Sequence, residues 1–286
     1  MPVVVVTDSS SCLPLSVAGH YAIRTVPLHL SADGVDYRDG VDEVPENLVT
    51  TPGVNTSGAN PHELGEAFEE AVAASDGAGV VAVHISRKLS GTWGAARLAA
   101  EKFSGRVRVV DSRSVGLAVG FAAIAAAQAA ADGADRDRVY EAAIRQAATL
   151  DSMFCVSTLD NLRASGRISA AGKMLGSALS IKPILHMVDG TMTLKERHRT
   201  FSKAIAKLKD GALESAGGRA VTLGVQHCEA PELAAEVADD LRKRLKVLTS
   251  SIIVEISPVL GCHVGPGAVG VVIGTHLDPI EGIPGN

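Results

Sequence analysis

The chain has 286 residues, 46% of them hydrophobic and 21% charged, with a net charge of -5 at pH 7. That balance suits one or two globular domains with a sizeable core and excludes a disordered or fibrous chain. An acidic chain with only 3% aromatic residues is also a poor general binder of nucleic acid, since it lacks both a basic face and the rings on which bases stack.

The opening, "MPVVVVTDSS", is expected to form a strand rather than a secretory leader. Over the first 150 residues one rhythm recurs: an apolar run, a Ser/Thr/Gly loop, then a helical pattern. Residues 3–6, 80–85 and 107–110 are predicted strands, and the loops after them read "TDSSSCLP", "RKLSGT" and "DSRSVG". A fourth loop, "VNTSGANP", precedes a helix expected over residues 61–74, with Asn60 as its N-cap and Pro61 in the first helical position. Alternating βα units predict a parallel sheet covered by helices, with ligands outside the carboxyl ends of its strands. The Ala-rich stretch "VGLAVGFAAIAAAQAAADGA" is expected to form a buried amphipathic helix rather than a membrane span.

From about residue 151 the texture changes. A hairpin is expected from residues 181–188 and 191–195 around the turn Asp189-Gly190. A strand at 221–227, a helix at 231–246 and apolar runs at 252–256 and 269–273 follow. The whole predicts two α/β domains, 1–155 with a parallel sheet and 156–286 with a mixed one. The four cysteines, Cys12, Cys155, Cys228 and Cys262, are scattered without a CxxC pair, which predicts free thiols in a cytoplasmic protein. Residues 151–210 hold ten Lys or Arg against five Asp or Glu, an excess that fits either an acidic protein partner or a solvated face.

The common catalytic signatures are missing. "GPGAVG" (265–270) matches GxGxxG, but an apolar run follows it instead of a helix, and no acidic ribose ligand has room beyond it. There is no GxxxxGK[ST], GxSxG or HExxH, and no His/Cys spacing suits a metal. Cys262 and His263 are adjacent; if they lie on a strand, their side chains point to opposite faces and cannot cooperate as nucleophile and base. What remains is a set of hydroxyls: Thr7, Ser9 and Ser10; Thr56 and Ser57; Ser90 and Thr92; Ser112 and Ser114. Each taken alone reads as a helix cap or turn. Gathered at helix starts with no phosphate-gripping Lys or Arg motif, they favour a small anion, and a carboxylate better than a phosphate.

Seven ordered blocks, "VTDSSSCLP", "NTSGANPHELGEAFEEA", "HISRKLSGTWGAARLAA", "VRVVDSRS", "LDNLRASGRIS", "LSIKPILHMVDGTM" with "KERHRT", and "HVGPGAVGV", resemble the DegV family of bacterial fatty-acid-binding proteins over nearly the whole chain. The resemblance implies a two-domain α/β fold with one long-chain fatty acid in a tunnel at the domain junction. It also implies the role of the FakB subunit of fatty acid kinase: a non-catalytic component, without a cofactor of its own, that presents the acid to a separate dihydroxyacetone-kinase-like subunit. ATP and Mg would belong to that partner, and the product, an acyl phosphate, would feed phospholipid synthesis. An ionised carboxylate needs no general base to attack a γ-phosphoryl group.

By resemblance, the carboxylate would be bound by Thr56 and Ser57, by Ser90, Gly91 and Thr92, and by His263. Apolar lining would come from Ile168, Met174, Leu175, Leu179, Ile181 and Ile184. The partner would dock on Arg163, Arg167, Lys173, Arg197 and Arg199. Membrane insertion is not expected, although transient contact with a membrane is. Two departures concern the tunnel mouth: Cys12 stands where an acidic residue is common in the family, and Gly58 where a large polar one is. Two other readings stay open. One is a lipid or carboxylate carrier or regulatory module with no kinase partner; the other is a small-molecule kinase or hydrolase using His263.

Overall fold

The computed structural model describes residues 2–45, 47–51, 53–168 and 181–283. The apolar runs of the first half form a parallel sheet of β1 (Val4–Asp8), β2 (Arg24–Val26), β6 (Val80–His84) and β7 (Val107–Asp111), in the order β2-β1-β6-β7. One face is covered by α2 (Pro61–Ala74) and α3 (Thr92–Ala100). The start of α2 follows from its sequence: the Asn60 side chain accepts from His62 N–H at 2.8 Å and Pro61 needs no partner. Leu64, Phe68 and Ala71, spaced along one side of α2, are buried against the sheet.

The other face carries α4 (Leu117–Ala131) and α5 (Arg136–Thr149). The expectation of an amphipathic α4 is overturned: the helix is buried nearly all round. It lies between Val5, Val81 and Val83 of the first sheet, Val139 and Ala143 of α5, and Ile252, Val254 and Val272 of a second sheet. An Ala-rich helix suits that place because small side chains let three neighbours approach at once.

The second sheet has six strands in the order β10-β9-β8-β13-β11-β12: β8 (Asp151–Cys155), β9 (Lys182–Val188), β10 (Thr191–His198), β11 (Ala220–His227), β12 (Val247–Glu255) and β13 (Val269–Gly274). Its neighbours are antiparallel except β11 and β12, which are parallel. Its outer face is covered by α7 (Phe201–Ala216) and α8 (Pro231–Arg244), numbered after a short α6 (Asp160–Ala164). The β9–β10 hairpin turns at Asp189 and Gly190, with φ of 49° and 80°, as its Asp-Gly sequence requires. The hairpin tip is fastened to the first half: Ser86 Oγ donates to Gly190 O at 2.7 Å, and Arg113 pairs with Asp189 at 2.8 Å.

Three features differ from expectation. A small antiparallel sheet of β3 (His29–Ala32), β4 (Val35–Arg38) and β5 (Asn55–Ser57) stands beside the first, so Thr56 and Ser57 lie on a short strand rather than in a loop. Cys262 and His263 lie on a helix, α9 (Pro258–Val264), not on a strand, because Pro258 opens a helical turn directly after β12. Finally, Leu277 and Ile280 return to pack with Val3, Val5 and Val17, while Tyr21 Oη donates to Pro279 O at 3.4 Å and accepts from Glu281 N–H at 3.1 Å. Among the described residues no helix is long and apolar enough to cross a membrane.

Candidate functional site

The hydroxyls singled out above divide into two groups. Those of the first loop, and Ser112 of the third, are consumed internally. Thr7 Oγ1 donates to Val83 O at 2.9 Å, Ser9 Oγ to Asp39 Oδ2 at 2.7 Å, and Ser10 Oγ to Asp8. The wholly buried Asp8 also accepts from Ile85 N–H at 3.0 Å and pairs with His84 Nδ1 at 2.9 Å. Ser112 Oγ turns back to Ser114 O at 3.4 Å. These loops are latches between strand ends.

The second group meets at the junction of the two halves. Pairing of β5 with β3 sets Thr56 opposite Leu30, and Thr56 Oγ1 lies 2.9 Å from Nε2 of His263 on α9. In the loop before α3, Ser90 Oγ and Thr92 Oγ1 are 2.8 Å apart; Ser90 Oγ also accepts from Thr92 N–H at 3.2 Å, and Thr92 Oγ1 from Ala59 N–H at 3.1 Å. Gly58 makes this packing possible: a Cβ there would sit 2.7 Å from Thr92 Oγ1 and 3.0 Å from Ser90 Oγ.

Proton bookkeeping assigns directions to these bonds. Thr92 is wholly buried and its hydroxyl proton has no acceptor among the described residues other than Ser90 Oγ, so Thr92 Oγ1 donates to Ser90 Oγ. Ser90 Oγ then accepts from both groups of Thr92, and its own proton is left to point outward. His263 Nδ1 is buried without a partner among the described residues, where a lone pair is less costly than an N–H. The proton therefore sits on Nε2 and is donated to Thr56 Oγ1, freeing the Thr56 hydroxyl proton. Burial, reinforced by the positive charge of Arg167, pulls the pKa of His263 down to about 4, so the ring is neutral at pH 7. Two outward O–H donors beside a guanidinium suit an anion.

The donors close one end of an apolar channel whose walls include Leu28, Ile85, Val115, Phe154, Met192 and Leu260. Empty space along these walls, its opening to solvent included, amounts to about 790 Å³. Thr56, Arg167 and His263 also line a wider cleft outside it, with polar walls that include Asn55, Ser157 and Asn161.

Of the other expected residues, Ser57 lines the channel and is exposed, Thr92 is wholly buried behind Ser90, and Gly91 is exposed. Ile168 is buried beside the channel, bridging to Met192, but is not on its wall, and Ile181 is half-buried away from it. Ile184 is a correction: β9 turns it to the opposite face of the sheet, into the core under α7 and α8, while its neighbour Leu185 faces the channel side. Met174, Leu175, Leu179 and Lys173 lie outside the described residues. Arg167, expected on a docking surface, lines the channel instead; Arg163 is half-buried, whereas Arg197 on edge strand β10 and Arg199 after it are exposed. Reasoning from the sequence missed Gln226 and His227, two polar residues at the end of β11 that also line the channel.

Comparison with known proteins agrees with the fold. A DegV domain-containing protein of Mycobacterium tuberculosis is 46% identical over 279 residues, covering 98% of this chain and 99% of its own. The crystal structure of a DegV family protein from Corynebacterium glutamicum superposes with a TM-score of 0.86 at 36% identity, covering 97% of this chain and 99% of its own. A structure describing fatty acid binding of a DegV family protein from Thermus thermophilus superposes with a TM-score of 0.90 at 29% identity, covering 96% and 100%. The profile of the family described as "Uncharacterised protein, DegV family" matches residues 2–276. The chain belongs to the DegV family.

Proposed function

We propose that this chain binds one long-chain fatty acid, its carboxylate held by the Ser90 and Thr56 hydroxyls with His263 behind Thr56 and Arg167 beside them, and its acyl chain in the channel. The observation that carries this reading is the meeting of the Ser90 and Thr56 hydroxyls with Arg167 at an apolar channel, where it adjoins a polar cleft. Burial of about fifteen methylenes at ~0.8 kcal/mol each offers roughly 12 kcal/mol before ordering costs, enough for a ligand to survive purification. Fatty acid binding by the T. thermophilus relative supports the ligand class.

In this reading the chain carries out no chemical step of its own. A carboxylate held at the edge of an open cleft is instead placed for attack by way of another protein's nucleotide. We infer a separate ATP-dependent kinase subunit that converts the acid to an acyl phosphate in the cytoplasm, docking on the basic surface that includes Arg163, Arg197 and Arg199, with Lys173 nearby in sequence.

Denaturing extraction followed by mass spectrometry tests the first step: one fatty acid per chain is expected. Protein that is empty and refuses added palmitate and oleate would overturn the reading. For the second step, loaded protein is mixed with ATP and a dihydroxyacetone-kinase-like subunit; acyl phosphate should form only with both present. Turnover by this chain alone would make it an enzyme, and binding without any phosphorylation would make it a carrier. Arg197→Glu and Arg199→Glu should reduce phosphorylation while palmitate affinity holds; equal loss of both would refute the docking assignment.

A further inference from the structure

The channel wall contains one buried amide that the carboxylate site does not use. Gln226 on β11 is 1% exposed and lines the channel. The strand register sets it opposite Gly270 on β13, which stands opposite Phe154 on β8, which stands opposite Leu185 on β9. Apart from Gln226, this row across the sheet is apolar.

The orientation of the amide follows from chemistry. Leu117 N–H, at the start of α4, lies 3.0 Å from Oε1. A backbone N–H only donates, so the atom facing it is the carbonyl oxygen, and the NH₂ group must face the other way. That Nε2 has no acceptor among the described residues. Two glycines make room for it: a Cβ on Gly116 would lie 3.0 Å from Nε2, and one on Gly270 would lie 3.1 Å from Nε2 and 2.7 Å from the Phe154 ring. Gly116 has φ of 69°, a conformation other residues adopt only under strain. Both glycines also line the channel. A donor buried without a partner is costly and rare, and Gly270 and Phe154 offer a water no further side-chain partner there.

We propose that Gln226 is a second polar anchor, which donates to an oxygen carried along the acyl chain, so that the channel prefers a hydroxy or oxo fatty acid to the plain hydrocarbon. The proposal rests on the fatty-acid reading above. A plain chain leaves the NH₂ buried and unpaired, whereas an in-chain oxygen at the right depth pairs it. A site with a buried donor discriminates against the analogue that lacks the matching acceptor.

The test is displacement of a fluorescent fatty acid by stearate, by oleate, and by hydroxystearates and oxostearates substituted at successive positions. One position should bind about ten- to a hundredfold more tightly than stearate. That ratio should collapse toward one in Gln226→Met and Gln226→Leu, which keep much of the bulk and lose the donor. Wild-type protein that binds stearate but prefers no substituted position would overturn the proposal and leave the fatty-acid reading intact, whereas failure to bind any of the acids would overturn both. The proposal also falls if the preference persists in both variants, or if they weaken every ligand equally. An equal gain for oleate would assign the selectivity to the shape of a kinked chain.

Discussion

Ser90→Ala tests the direction of the hydrogen bonds at the channel end. The substitution removes one outward donor and also takes from Thr92 the acceptor of its hydroxyl, 2.8 Å away, and of its N–H, 3.2 Å away. A hydrogen bond to a charged group contributes about 1.5–3 kcal/mol, which is roughly a 10- to 150-fold loss of affinity. The orphaned Thr92 hydroxyl, 2.8 Å from the place of Ser90 Oγ, can swing partly into the vacated space, so the lower half of that range is expected. Calorimetric titration with palmitate and with hexadecanol separates this from general damage. The acid should lose most of the affinity, because the alcohol has no charge for Ser90 to meet. Unchanged affinity for palmitate, or equal losses for acid and alcohol, would refute the assigned proton directions.

Three further outcomes are expected. His263 drops from 6.5 to about 4 on folding, so the unfolded chain binds more protons between those values, and its contribution to stability, full above pH 6.5, is lost as pH falls toward 4. Melting temperatures of the unliganded protein should fall across that window, and less steeply in His263→Gln; His186 and His227, lowered mainly by burial, contribute equally to both proteins and cancel in the comparison. Gly58→Ala should cost about 1–3 kcal/mol in denaturant unfolding by forcing Ser90 and Thr92 apart, whereas Gly91→Ala, with open space around it and φ of -73°, should be close to neutral. Burial raises the thiols of Cys12, Cys155 and Cys228 to about 12 and that of Cys262 to about 11, so alkylation by iodoacetamide at pH 8, followed by mass spectrometry, should run at least ~100-fold slower in the native than in the denatured protein.

The βα rhythm of the first half and the start of α2 were legible because they depend on neighbouring residues: an apolar run, an Asn cap, a Pro at the first position. The β9–β10 hairpin was legible from Asp189-Gly190. The same signal, Asp33-Gly34 with φ of 51° and 80°, joins β3 to β4, yet that sheet went unread because its strands are only three or four residues long and mostly half-exposed. The face on which Ile184 lies could not be read from "KPILHMV", since a strand covered on both sides has no alternation to show which way a residue points. Helix α9 was signalled by Ser257-Pro258 and by Gly265 after its last turn, a cue hidden beneath the apolar run before it. At the site, hydroxyls in loops announced themselves, but sorting latches from ligand donors required knowing which partners each had already used. Arg167 and Gln226 look ordinary in sequence; their roles come from what surrounds them.

The return of residues 277–281 to the first sheet bears on how the protein is made. Val3, Val5 and Val17 share their core with Leu277 and Ile280, and Tyr21 reaches its partners Pro279 and Glu281 more than 250 positions later. A chain synthesised as far as residue 150 already contains every strand of the first sheet and the helices on both of its faces, but lacks Ile252, Val254 and Val272, which pack against α4, and Leu277 and Ile280. The side of α4 that meets the second sheet therefore stays uncovered until residues 252–280 have been synthesised. Contacts of such long sequence separation are slow to close, which makes this a protein whose yield in cells is governed by how well that interval is protected from aggregation.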